Sequence, residues 1–156
     1  MRRKIGLLAL SALACGGGKE PAQEPASAKA SSPAMACIEQ AETRQTPPTD
    51  APERMDLAHI VVRHAGVRDA GDVTRTREEA CLRAMEARKK LLDGGDWEEV
   101  FKAYSDSQGA TGGVLYDVTQ GALEPAFAGA AFSLGVDELS HVVETKRGFH
   151  VIWRKK

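Results

Sequence analysis

The sequence predicts an α+β domain in which a small, mostly antiparallel sheet of four strands is flanked by three to four helices. Two observations lead there. Beyond residue 53 the hydrophobic patterning runs strand, helix, helix, strand, helix, and then closes on a hairpin. Composition also divides the chain: all eight aromatic residues lie beyond residue 96, while six of the seven prolines lie between Pro21 and Pro52. A packed core therefore belongs to residues 54–156, a length that suits one domain.

Leu57 to Arg63 (LAHIVVR) is apolar and β-branched and reads as a central strand. A loop rich in Gly, Asp and Arg follows from His64 to Arg75. Thr76 with Glu79 is a capping box, and the helix it opens carries Ala80, Ala84, Ala87 and Leu91 on one side until Gly94-Gly95 stops it. Asp96 with Glu99 starts a second helix with Val100, Phe101 and Tyr104 as its apolar stripe. Ser105 to Gly113 is a polar loop and Val114 to Val118 a short strand. Glu124 followed by Pro125 opens a third helix that runs through Phe132 and closes near Gly135. Leu139–Glu144 and Gly148–Arg154 read as two strands joined by a tight turn. Strand alternation puts His59 with Val61 on one face of its strand, and His150 with Ile152 on one face of theirs. Two histidines on one small sheet are thus permitted to meet.

The N-terminal third is different material. Arg2, Arg3 and Lys4 precede the short apolar stretch Ile5–Ala14, and Cys15 follows the small-residue pattern Ala12-Leu13-Ala14. Residues 1–15 therefore read as an export signal. The pattern resembles the lipid-attachment box of bacterial lipoproteins, with Cys15 as the acylated residue; ordinary cleavage after Ala14 is the alternative. Residues 16–53, rich in Ala, Pro, Ser, Glu, Gln and Thr, read as a flexible linker, with Met35-Ala36-Cys37-Ile38 as a brief exception. Together these features place the protein on the periplasmic side of a bacterial envelope, tethered to a membrane. In such a location Cys37 and Cys81 either pair or leave Cys81 as a buried thiol.

Charge excludes other classes. With 21 Lys+Arg against 22 Asp+Glu the formal net charge is −1, which argues against a nucleic-acid binder acting through bulk positive charge. No apolar run reaches the roughly 18 residues of a membrane span. His59, His64, His141 and His150 lack zinc-enzyme spacing and no Cys-x-x-Cys occurs, so no metal is expected. Ser107 lacks a nucleophile-elbow context, and neither Gly94-Gly95 nor Gly112-Gly113 continues as a phosphate loop.

Several blocks, in order, resemble the parvulin-type peptidyl-prolyl cis-trans isomerases. They are Ala58-His59-Ile60-Val61-Val62, Thr74 to Ala80, Tyr104-Ser105-Asp106-Ser107 and Gly112-Gly113-Val114-Leu115. Leu123-Glu124-Pro125-Ala126-Phe127 leads on to Ala131-Phe132-Ser133-Leu134, and Val143-Glu144-Thr145 is followed by Gly148-Phe149-His150-Val151-Ile152. The resemblance implies that Leu115, Leu123 and Phe127 line a proline pocket, with His59 and His150 paired beneath it and Thr145 in their hydrogen-bond network. Ser107 stands where the family has Cys or Asp, which implies a weaker electrostatic contribution and reduced activity. Val114 and Tyr116 replace the family's Asp and Gly, and Leu123 stands where Met is common. Arg63 and Arg68 near the mouth would, by the resemblance, favour an acidic or phosphorylated residue before proline, but Asp69 and Asp72 neutralise much of that charge and a solvated loop is the preferred reading.

The implied activity is isomerisation of Xaa–Pro bonds in unfolded or exported polypeptides, by a monomer and without cofactor. Rotation must overcome the roughly 18–20 kcal/mol of amide conjugation, and no covalent bond changes. The rival expectation is a non-catalytic periplasmic chaperone or peptide-binding module that retains the groove; Ser107 is the feature that favours it.

Overall fold

A computed structural model describes residues 32–156, apart from Gln108 and Ala110. The expected export signal (residues 1–15, with Cys15) and the first part of the expected linker lie outside the described residues. The elements in chain order are α1 (Pro33–Glu42), β1 (Arg54–Val62), α2 (Arg77–Leu92), α3 (Trp97–Tyr104), β2 (Val114–Thr119), a short 3-10 turn (Gln120–Ala122), α4 (Pro125–Phe132), β3 (Val143–Thr145) and β4 (Gly148–Arg154). The sheet order is β2-β1-β4-β3, antiparallel throughout.

Strand alternation divides the core into two layers. Ile60, Val62, Phe149 and Val151 face α1, α2 and α3, while Met55, Leu57, Val143 and Ile152 face α4. The helix ends follow from local chemistry. Thr76 and Glu79 make both halves of a capping box, Asp96 caps α3 through the Glu99 amide, and Pro125 occupies the first turn of α4.

Two expectations are corrected. Within the stretch expected as a flexible linker, Pro33–Glu42 is helical and packs on α2. Ser32 accepts from the Met35 amide and Pro33 sits in the first turn, so α1 carries its own start signal. Its buried stripe is small, Cys37, Ile38 and Ala41, and composition alone underrates it. The missing stabilisation is covalent: Cys37 and Cys81 form a disulfide with Cα atoms 6.1 Å apart, fixing α1 to α2 across 44 residues. An ion-pair triad adds to it, since Arg77 on α2 meets both Glu42 of α1 and Glu144 of β3.

The hairpin is also shorter than the pattern Leu139–Glu144 implied. Leu139 makes only an isolated bridge to Trp153. The buried Ser140 hydroxyl accepts from the Ile152 amide at 2.9 Å, taking the place of a backbone carbonyl and interrupting the ladder before Val143.

Candidate active site

β1 and β4 set the histidines. Their register pairs His59 with Ile152 and Val61 with His150, so the two imidazoles are diagonal neighbours on the α4-facing side of the sheet. Their Nδ1 atoms are 3.3 Å apart. The approach of β2 to this point depends on a glycine: the His59 amide donates to the Gly113 carbonyl at 2.9 Å, and Gly113 has φ +78°, with a Cβ there falling 2.2 Å from the His59 carbonyl oxygen.

α4 contributes Phe127, which stands edge-on to both rings, 5.4 Å from His59 and 5.2 Å from His150 between centroids. Leu115 on β2 and Leu123 after the 3-10 turn complete the apolar wall. The tight turn between β3 and β4 brings Thr145, whose Oγ1 lies 2.8 Å from His150 Nε2. These residues enclose a cavity of about 410 Å³, to which Glu124 and Arg147 add one charge of each sign. Its size suits a small ring with flanking backbone.

Both imidazoles are held neutral. Burial, with a smaller contribution from the Arg147 charge, pushes His59 down to about 4. His150 is 3% exposed; burial first, then the repulsion its protonated form would meet from a protonated His59 and from Arg147, hold it well below the ordinary histidine value. Two neutral rings and one hydroxyl form a chain with two proton orders. Thr145 donates to His150 Nε2 and His150 Nδ1–H donates to His59, or every bond reverses and Thr145 Oγ1 accepts. In the first order His59 Nε2 carries a proton; in the second it carries a lone pair.

Of the eight residues singled out in the sequence as catalytic or substrate-binding, six converge on this cavity: His59, Leu115, Leu123, Phe127, Thr145 and His150. Ser107 and Arg63 do not line it. Ser107 lines a cavity of about 600 Å³ beside Trp97, Phe101 and Trp153. The sheet supplies Val114 and Trp153 to that cavity, the chain neighbours of Leu115 and Ile152, so it opens on the opposite face. It is larger, but brings no two histidines together. Arg63 lies with Asp72, Arg75 and Asp106 in a third hollow, where Asp106 accepts from the Arg63 amide and pairs with Arg75. The sequence pattern marks Arg147 only as a turn residue and Glu124 only as a helix start, yet both line the cavity. Among the described residues, no group of three or more His, Cys, Asp or Glu is arranged to hold a metal ion, and no helix is long and apolar enough to cross a membrane.

Comparison with known proteins gives a consistent picture. The Rotamase family model, a PPIC-type PPIase domain, matches residues 59–156, beginning at the first of the two histidines. The Drosophila melanogaster protein dodo, described as a peptidyl-prolyl cis-trans isomerase, is 36% identical over 113 residues, covering 68% of each chain. The foldase protein PrsA of Bacillus subtilis is 39% identical over 71 residues, covering 44% of this chain and 24% of its own length. Among solved structures, the solution structure of TbPIN1 superposes with a TM-score of 0.60 at 28% identity, covering 67% of this chain and 98% of that one. Residues 33–58, with α1 and Cys37, precede the matched region.

Proposed function

The chain belongs to the PPIC-type peptidyl-prolyl cis-trans isomerase family, and from that premise we propose that the 410 Å³ cavity is its catalytic site. The carrying observation is the convergence of three apolar residues on a neutral His59–His150–Thr145 chain inside the matched region. Leu115, Leu123 and Phe127 grip the client's proline ring. Twisting the Xaa–Pro bond ends amide resonance, so the transition state carries less charge on the carbonyl oxygen than the planar ground state. Apolar walls therefore favour the twisted form over the planar one, which is the differential binding that catalysis requires. Beside them, the imidazole chain offers His59 Nε2 as a donor or an acceptor without bringing a full charge into the pocket.

Ser107 and Arg63 line other hollows, outside the proline socket. The clients are proline-containing polypeptides. We further propose that the protein is exported, carries a lipid on Cys15 and works as a monomer. The Cys37–Cys81 disulfide supports export, because such bonds persist in oxidising compartments.

The test is the isomerisation rate of an Ala-Ala-Pro-Phe peptide with the purified protein. Acceleration that disappears on His59→Gln, His150→Gln and Phe127→Leu substitution is the expected result. Unchanged isomerisation with the wild-type protein would overturn the assignment of this cavity. Mass spectrometry of the mature N-terminus should show an acylated Cys15; a free thiol there would remove the anchor.

A further inference from the structure

The cavity contains a cation without a counterion. Arg147 is exposed at the turn between β3 and β4, and its side chain lines the same hollow as Phe127 and the two histidines. Three arginines near the sheet are ion-paired, Arg75 with Asp106, Arg77 with Glu42 and Glu144, and Arg54 with Asp117, and Arg154 donates to the Leu134 carbonyl, away from the cavity lining. Arg147 enters no ion pair among the described residues. The cavity's one acid, Glu124, instead accepts from the Lys146 amide at 3.1 Å. The turn itself is pinned, since the Arg147 amide donates to Thr145 Oγ1 at 3.0 Å. Gly148 behind it has φ +124°, with a Cβ there falling 2.4 Å from the Val62 carbonyl oxygen. A fixed backbone thus presents an unoccupied guanidinium at the rim of an apolar socket.

The geometry points to Arg147 as the residue that selects clients carrying an anionic side chain next to the proline. This rests on the cavity being the proline site. A guanidinium offers a planar fork of donors that fits a carboxylate or a phosphate, and both groups share that chemistry. Arg147 also accounts for part of the depression of both imidazoles, which places its positive field inside the cavity. An acidic client side chain would be drawn by that same field. Glu124 on the same cavity wall would repel a second acid, so the preference is for one anionic neighbour and not for an acidic run.

The experiment uses the full chain and exchange NMR on short peptides with Glu, phosphoserine, Ala or Lys immediately before or after proline. The ratio of kcat/KM for Glu to Lys peptides should be about three- to tenfold in the wild type on at least one side of the proline, as expected for an exposed charge pair read once as attraction and once as repulsion. It should shrink towards one in about 1 M salt. Arg147→Glu should invert the ratio and Arg147→Gln should bring it near one. Should Arg147→Glu fail to fold, the Gln variant decides alone. A stronger gain for phosphoserine than for Glu assigns a phosphorylated client, and equal gains assign a carboxylate. A wild-type ratio of one, or a ratio that neither variant changes, overturns the proposal. Absence of any rate acceleration would count against the isomerase site instead; the dissociation constants of the same peptides, from chemical-shift titration, would then be read for the same ratio and the same inversion.

Discussion

Thr145 Oγ1 lies 2.8 Å from His150 Nε2, so the last residue of β3 fixes a ring that β4 buries. The same oxygen accepts from the Arg147 amide, and its one proton goes to the Gly148 carbonyl, 3.5 Å away, or to the imidazole. Thr145→Val keeps the shape of the side chain but removes that bond. One net hydrogen bond is worth about 1 kcal/mol, so kcat/KM should fall roughly five- to tenfold while the unfolding midpoint changes little. Thr145→Ser should restore the rate. Wild-type kcat/KM in the valine variant would show that the proton chain has no part in catalysis.

The depressed imidazoles predict an unusual pH profile. A histidine whose folded pKa lies below its unfolded value contributes its full share of stability above about 6.5, and that share is lost as pH falls towards the folded value. For His59, from 6.5 to about 4, the loss between pH 7 and pH 4 is of the order of 3 kcal/mol, and His150 adds in the same direction. Urea midpoints should therefore fall steadily over this window. Isomerase activity should stay flat from pH 8 to about 5 and decline only below that. A rate that titrates near 6.5 would show that the working imidazoles are exposed to solvent.

Phe127 belongs both to the lower core and to the cavity wall, being 6% exposed and edge-on to both histidines. Phe127→Ala should cost about 3–5 kcal/mol, which confounds activity with folding. Phe127→Leu separates the two. It should lose roughly 1 kcal/mol of stability and the ring–edge contacts, and raise KM more than it lowers kcat. Equal losses in kcat and KM would argue that the ring orients the histidines more than it holds the client.

Ser107 faces the cavity beside Trp97 and Trp153, away from the His59 side of the sheet. From this placement Ser107→Ala should change kcat/KM by less than about twofold, within what a half-buried polar group away from the reacting bond contributes. Ser107→Asp and Ser107→Cys, which restore the family's residue types, should give no gain. A large gain in either would mean that the loop swings towards the client during turnover.

The site was legible in the sequence where its residues lie on regular elements. His59 and His150 alternate on strands whose β-branched runs are unmistakable, and Leu123 to Phe127 sit just before and inside a helix marked by Pro125. Thr145, at the end of β3, was named through the family's pattern, whereas Arg147 was not named for the site at all. Arg147 reads as a turn residue until Gly148 and Thr145 fix the direction of its backbone, and no periodicity reports that. Ser107 matched the family by position, yet side-chain direction in a glycine-rich loop follows from φ values that spacing does not encode. α1 failed for another reason. Its apolar stripe is too short to hold by burial, and the cross-link that holds it joins residues 44 apart, so no local window contains the cause.

That cross-link leads to the last prediction. Cys37 and Cys81 are both at most 2% exposed, and every residue of the 410 Å³ cavity lies at His59 or beyond. Removing the bond should therefore act on stability more than on the reaction. For a loop of this length the chain-entropy argument gives about 4 kcal/mol, and observed effects are typically 2–4. Cys37→Ala with Cys81→Ala should lower the melting temperature by roughly 10 °C. The wild-type protein in dithiothreitol should show the same drop, and the double variant should not respond to reductant. The rate on an Ala-Ala-Pro-Phe peptide should change by less than about twofold at 25 °C, because a native population of a few kcal/mol is still present. Loss of activity without loss of stability would mean that α1 shapes the cavity, through the Glu42–Arg77–Glu144 contacts that run from α1 to the strand bearing Thr145.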